Sequence, residues 1–132
     1  ITSMAACAAA LAAIDVIVDD SLAARALEIG DECLRRMREW QAAHEGIGDV
    51  RGLGAMVGME LVGDPGTREP DAARTGELLA LCHQAGLILL RAGLYDNVVR
   101  LMMPLTITDA ELTRGLDIIE AALDRLAVTA AT

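Results

Sequence analysis

The 132-residue chain contains no lysine and no phenylalanine, and its only aromatic residues are Trp40 and Tyr95. Its basic side chains are eleven arginines, set against twenty aspartates and glutamates, so the formal net charge is −9. A protein that binds a nucleic-acid backbone needs a basic surface, and this charge balance therefore argues against a nucleic-acid partner. Without lysine, no side chain of the sequence carries a primary amine.

Cysteine and histidine are also scarce. Cys7, Cys33 and Cys82 form no Cys-x-x-Cys pair, and His44 and His83 lie far apart in the sequence. The spacing predicts neither a disulfide framework nor a metal site, and it fits a reducing cytoplasm. Neither histidine lies beside a recognisable nucleophile, so we predict no catalytic residue within this chain.

No apolar run is long enough to cross a bilayer. The longest spans residues 4–14, is mostly alanine and has no basic leader, whereas a membrane-spanning helix needs about 20 apolar residues. The hydrophobic fraction is nevertheless 54% and the mean hydropathy is +0.40. This composition predicts exposed apolar surface that meets a partner, and we therefore expect self-association and no membrane contact.

The order of periodic segments predicts an α+β fold. Helices are expected over residues 3–18, 21–45, 71–86 and from residue 108 onward. Strands are expected over residues 50–62, 87–91 and 98–103. The result is a small, mainly antiparallel, three-stranded sheet covered by helices on one side. Residues 1–132 are predicted to form a single domain with a frayed tail at 128–132.

Glycines mark one face of the predicted strand 50–62. The apolar face is formed by Leu53, Ala55, Val57, Met59 and Leu61. The opposite face carries Gly52, Gly54 and Gly58. Because glycine weakens a strand, its presence indicates that something approaches closely there. Either a helix packs on a twisted strand or a ligand comes near the backbone.

An arginine interrupts the apolar segment "DNVVRLMMPL" at residues 96–105. On a strand, Arg100 shares a face with Val98 and Met102. A lone buried guanidinium is costly, so Arg100 is solvated at a sheet edge, paired with a protein carboxylate, or placed to bind an acid. Arg91, at the end of the preceding strand, leaves the same alternatives open.

Four segments in order resemble the C-terminal part of class III aminotransferases, the pyridoxal-phosphate (PLP) enzymes of fold type I. They are "ACAAALAAIDVI", "IGDVRGLGAMVGMELV", "AGLILLRAGLYDNVVRLMMPLTIT" and "GLDIIEAALD". Within that class, the pattern Gly-x-x-x-Asn-Val-x-Arg at residues 93–100 is most similar to 4-aminobutyrate aminotransferases. The resemblance covers almost the whole chain.

The resemblance implies a C-terminal small domain of a 4-aminobutyrate, or ω-amino acid, to 2-oxoglutarate aminotransferase. It implies that Arg100 binds the carboxylate of the acid substrate and that Gly93 and Asn97 line the site. PLP is the cofactor of the parent enzyme, and the implied partners are small amino and keto acids, a large PLP domain and a second subunit. A cytoplasmic location is expected.

The sequence also departs from the family. The lysine that carries PLP is absent, so no cofactor is expected on this chain alone and the chain alone is predicted to be inactive. Arg91 replaces a residue that is commonly small, with a consequence for specificity that the sequence leaves open. The alternative function is an independent α+β module that binds a small carboxylate or assembles with protein, without catalysis.

Overall fold

A computed structural model describes residues 3–130 of the chain, and it contains four helices and four strands in this range. The helices are α1 (Met4–Asp19), α2 (Leu22–Ala43), α3 (Ala72–Gln84) and α4 (Asp109–Ala130). The strands are β1 (Ile47–Leu53), β2 (Met56–Leu61), β3 (Leu90–Ala92) and β4 (Val98–Met102). The predicted α+β class is confirmed.

The four strands form one antiparallel sheet in the order β1-β2-β4-β3. The predicted number of three strands is wrong, because residues 50–62 form a hairpin rather than one strand. The chain reverses at Gly54 and Ala55, where Gly54 has a φ of +54° and Leu53 pairs with Met56. A positive φ favours glycine, and a two-residue loop with glycine first is a common hairpin connection.

The hairpin also changes which residues share a face. Residues paired directly across antiparallel strands lie on the same side of the sheet. Gly52 pairs with Val57 and therefore faces the core, whereas Leu53 pairs with Met56 and faces away from it. The prediction that Leu53 lies on the face of Val57 is thus wrong, although Val57, Met59 and Leu61 do share the buried face.

The core lies on one side of the sheet. Helices α2 and α3 pack against the strands, and α4 packs against α2 and α3. The buried stripe of α4 is the predicted one, formed by Leu112, Leu116, Ile119, Leu123 and Leu126. At its start, the Thr108 amide donates to the Glu111 carboxylate over 3.0 Å and the Glu111 amide donates to Oγ1 of Thr108 over 3.2 Å, which confirms the capping box.

The end of α4 bears on the predicted frayed tail. The helix continues to Ala130, so residues 128–130 are helical, while residues 131 and 132 lie outside the described part. Fraying of 128–132 in solution stays a prediction.

Helix α1 stands apart from the core. It contacts α2, and none of its residues is buried. Within residues 3–130, no helix combines the length and the apolar character needed to cross a membrane.

Among residues 3–130, no helix packs on the second face of the sheet. We call it the open face and define it by the residues that the strand register places there. These are Asp49, Arg51, Leu53, Met56, Gly58, Glu60, Leu90, Ala92, Val98, Arg100 and Met102. None of them is fully buried, and the large apolar side chains of Leu53, Met56, Leu90 and Met102 are exposed.

Candidate functional site

Arg100 lies near the middle of the open face. Gly58 on β2 pairs directly with Arg100, and Leu90 on β3 pairs with it from the other side. Arg100 is therefore on a central strand, which excludes the interpretation that it is solvated at a sheet edge. As predicted, it shares its face with Val98 and Met102.

The Arg100 guanidinium has no protein partner within residues 3–130. The side chain is half-buried, and its Nε atom is buried without a hydrogen-bond acceptor. No ion pair to a carboxylate compensates for this, so the second interpretation, pairing with a protein acid, does not hold in the described part of the chain. A buried donor without an acceptor is destabilising, and the charge of the guanidinium remains available to an anion from outside.

Arg51, two strands away, has the opposite environment. It pairs with Gly58 from the β1 side, and its Nη1 atom donates to Asp49 and, over 2.9 Å, to Glu60. These hydrogen bonds, led by the one to Glu60, raise the pKa of Arg51. Arg51 and Arg100 both pair with Gly58, from opposite sides. Carboxylates neutralise Arg51 but not Arg100.

Asn97 holds the start of β4 in place. Its side chain is 2% exposed, and its amide donates to the Leu61 carbonyl over 3.1 Å and to Glu60 Oε1 over 3.2 Å. The Leu61 backbone amide donates in turn to the Asn97 carbonyl over 2.7 Å. Asn97 therefore fixes the register of β4, three residues before Arg100, and its predicted role in lining a site stays a prediction.

Arg91 is the middle residue of β3, and Gly93 directly follows that strand. Gly93 has a φ of +88° in the connection to β4, where a Cβ would lie 2.8 Å from Cγ2 of Val98. Its place is explained by the turn, and its site-lining role stays a prediction. Arg91 pairs with Val99 on the opposite side of the sheet from Arg100, and its guanidinium lies against Gly76 of α3.

A cavity of about 240 Å³ adjoins Arg100 between the β3–β4 edge and α4. Its lining is mostly apolar, and its charged members are Arg100 and Glu111. The Glu111 carboxylate accepts hydrogen bonds from the side chain and the backbone of Thr108, which lower its pKa. Glu111 is committed to the start of α4 and leaves Arg100 unpaired.

The remaining reactive groups lie away from this face. Cys33 and Cys82 are buried, and burial raises the pKa of both thiols to about 11. A thiol with so high a pKa is a poor nucleophile. Among residues 3–130 no group of three or more metal-ligating side chains comes together.

Sequence reasoning missed Arg51 and Glu60 as neighbours of this site. Glu60 lies two residues from Gly58 on β2, whereas Arg51 joins Gly58 only through the hairpin, whose turn at residues 54 and 55 interrupts the predicted strand. Gly54, the second glycine of "RGLGAM", is the signal that the sequence offers, because glycine permits the positive φ of a tight turn.

The chain belongs to the class III aminotransferase family. The family model "Aminotransferase class-III" matches its residues 2–123. A 4-aminobutyrate aminotransferase of Mycobacterium bovis is 49% identical over 118 residues, which are 89% of this chain and 26% of that protein. A 5-aminovalerate aminotransferase of Pseudomonas aeruginosa is 44% identical over 122 residues, 92% of this chain and 29% of that protein.

The fold has solved counterparts among transaminases. An amine transaminase from an uncultivated Pseudomonas species, solved in its PLP-bound form, has a TM-score of 0.82 and 31% identity. The likeness covers 92% of this chain and 27% of that one. The chain thus spans little more than a quarter of the length of such relatives, and the fold of its described part is that of a transaminase segment.

The donor groups of this chain do not fit PLP by themselves. The sequence has no lysine that could form an imine with the cofactor aldehyde. What the open face offers is a guanidinium without a hydrogen-bond acceptor among residues 3–130, which suits a carboxylate.

Proposed function

We propose that this chain is the C-terminal small domain, a single domain over residues 1–132, of an ω-amino acid to 2-oxoglutarate aminotransferase of the 4-aminobutyrate type. In this proposal Arg100 binds the carboxylate of the acid substrate. The names of the relatives, 4-aminobutyrate and 5-aminovalerate aminotransferase, support the substrate class. The observation that carries the proposal is the unpaired Arg100 guanidinium on the open face.

The chemistry assigned to Arg100 is binding and orientation. A guanidinium presents parallel N–H donors that match the two oxygens of a carboxylate, so it fixes both the position and the rotation of the acid. Apolar neighbours such as Leu90 and Met102 lower the local dielectric and strengthen the attraction. An acid held in one orientation presents its amino or keto carbon to the cofactor in one way.

PLP and the lysine that carries it belong, in this proposal, to the large domain found in the part of the relatives that this chain does not cover. There PLP would supply an electron sink for the proton transfer at the carbon that bears the amino group. The large domain and a second subunit are the proposed protein partners, the chain self-associates through its apolar surface, and the location is cytoplasmic. The chain alone is expected to lack transaminase activity.

Calorimetry on the 132-residue chain tests the role of Arg100. We expect 2-oxoglutarate and glutamate to bind the unaltered chain, and 4-aminobutyrate to bind through its own carboxylate. Arg100→Ala should weaken binding by at least about tenfold, because a charge-assisted hydrogen bond is lost. Arg114→Ala, which removes an exposed arginine of α4, is the matched control and should bind as the unaltered chain does. Equal affinity in Arg100→Ala would contradict the proposal.

A fusion separates the enzyme domain from an independent binding module. The chain is joined to the part of the Mycobacterium bovis relative that it does not match, so that a lysine-bearing portion is restored. Transamination by the fusion, lost in its Arg100→Ala form, is the expected result. A fusion that binds 2-oxoglutarate through Arg100 but transfers no amino group would favour the non-catalytic module.

A further inference from the structure

Gly58 lies between Arg51 and Arg100 in one row across the open face. Its backbone does not require glycine, since the glycines with positive φ within residues 3–130 are Gly54, Gly86 and Gly93. A Cβ built at Gly58 would have Cγ1 of Val98 as its nearest neighbour, at 3.3 Å. A small rotation of the half-buried Val98 side chain would accommodate an alanine.

Other glycines of the sheet and of α2 have a packing reason that Gly58 lacks. A Cβ at Gly30 would lie 2.1 Å from the Gly54 carbonyl oxygen, and one at Gly52 would lie 2.5 Å from Cγ1 of Val57. Gly58 faces away from the core and meets no such obstacle. Because glycine inside a strand lowers stability relative to residues with side chains, the fold does not account for its presence.

The absent side chain leaves a free space beside Arg100. The three heavy atoms nearest to the Cβ position of Gly58 are Cγ1 of Val98 and the backbone oxygens of Arg51 and Val99, the latter two at 4.0 Å. Neither guanidinium therefore occupies this space. Gly58 and Arg100 are direct partners on neighbouring strands, which lie about 4.8 Å apart, so the Arg100 side chain starts beside this space.

The charges around this space favour a single carboxylate. Arg51, on one side, is already bound to Asp49 and Glu60, whereas Arg100, on the other side, has a buried Nε without an acceptor. One uncommitted positive charge is thus available to an anion that approaches over Gly58. Glu60, two residues along β2 on the same face, would repel a second carboxylate placed towards it.

We propose that Gly58 is a specificity-determining residue, whose missing side chain keeps open the approach of a substrate carboxylate to Arg100. This inference rests on the proposed function of Arg100 and extends it to the residue that forms the floor of the space. Any side chain at position 58 would reduce the room for the acid in proportion to its volume. The effect is steric and leaves the guanidinium itself unchanged.

The test compares Gly58→Ala and Gly58→Val by calorimetry with 2-oxoglutarate. We expect Gly58→Ala to weaken binding a few-fold and Gly58→Val to weaken it by about tenfold or more, as for loss of one charge-assisted hydrogen bond. Ala92→Val is the control, because it enlarges an open-face residue that pairs with Val98 rather than with Arg100. It should bind as the unaltered chain does.

Urea unfolding of the same variants separates a blocked site from a damaged fold. The unfolding midpoints of both Gly58 variants should equal or exceed that of the unaltered chain, because the site has room and strands favour side chains over glycine. If Gly58→Val does not fold, Gly58→Ala decides the question. Weaker binding together with an undiminished midpoint supports the proposal.

Two further results distinguish failure of this inference from failure of the proposed function. If Arg100→Ala loses binding while Gly58→Val keeps the affinity of the unaltered chain, the role of Gly58 is overturned and that of Arg100 stands. If Arg100→Ala keeps the affinity, or if the unaltered chain binds no 2-oxoglutarate, both are overturned.

Discussion

At the scale of single residues, Asn97 shows how a buried polar side chain fixes the geometry around Arg100. Its amide satisfies the Leu61 carbonyl and reaches Glu60, which in turn holds Arg51. The chain of contacts therefore runs across three strands. The pattern around residues 93–100 identified Asn97 as a notable residue, but only the structure shows that its amide turns inward.

Replacing Asn97 by alanine should destabilise the fold by about 1–3 kcal/mol, because the side-chain hydrogen bonds to the Leu61 carbonyl and to Glu60 are lost and a small buried space is left unfilled. Urea unfolding at neutral pH measures this loss. Gln84→Ala, which removes an exposed amide from α3, is the control and should change stability by less than about 0.5 kcal/mol. A loss for Asn97→Ala no larger than that of the control would show that the amide contributes little.

At the scale of elements, the helices followed their sequence patterns closely. The periodic stripe and the capping box of α4 depend on residues three and four apart, and such local relations are visible in a linear sequence. The hairpin of β1 and β2 was missed because an apolar residue on each side of Gly54 continued the alternation through the turn. Alternation alone does not reveal where a strand reverses.

The contact between α2 and the hairpin gives a sharp prediction about two glycines. Gly30→Ala should destabilise the fold by about 1–3 kcal/mol or more, since its Cβ would lie 2.1 Å from the Gly54 carbonyl oxygen and backbone would have to move. Gly115→Ala in α4 should stabilise it by roughly 0.5–1 kcal/mol. Its Cβ would meet Leu87 Cδ1 at an ordinary 3.7 Å.

Both changes add the same methyl group to a helix, so each serves as the control of the other. In urea titrations, Gly30→Ala should lower the free energy of unfolding relative to the unaltered chain, and Gly115→Ala should raise it. Equal effects at the two positions would mean that α2 does not pack on the turn as closely as the structure has it.

At the scale of the whole molecule, much apolar surface is left uncovered on the open face and along α1. On the open face, Leu53 is 82% exposed and Met102 is 57% exposed. Helix α1 is apolar, and none of its residues is buried. Surfaces of this kind in a protein of this size mark interaction sites. This exposure accounts for the high hydrophobic fraction that the composition showed.

We expect the chain to self-associate as its concentration rises, because pairing of open faces removes this apolar surface from water. Light scattering across a concentration series measures the assembly. The double variant Leu53→Ser and Met102→Ser should shift association to higher concentration, whereas Leu27→Ser, an exposed leucine of α2 away from the sheet, should not. A chain that stays monomeric at high concentration would contradict the expectation.

The sequence by itself determined the α+β class, the helix stripes, the absence of a side-chain amine for PLP and the resemblance that singled out Arg100. These properties depend on composition or on residues close together in the chain. Tertiary structure decided the number of strands, the row of Arg51, Gly58 and Arg100, and the lack of an acid partner for Arg100 in the described part of the chain. Strand register brings together residues separated by tens of positions, and no local pattern specifies that pairing.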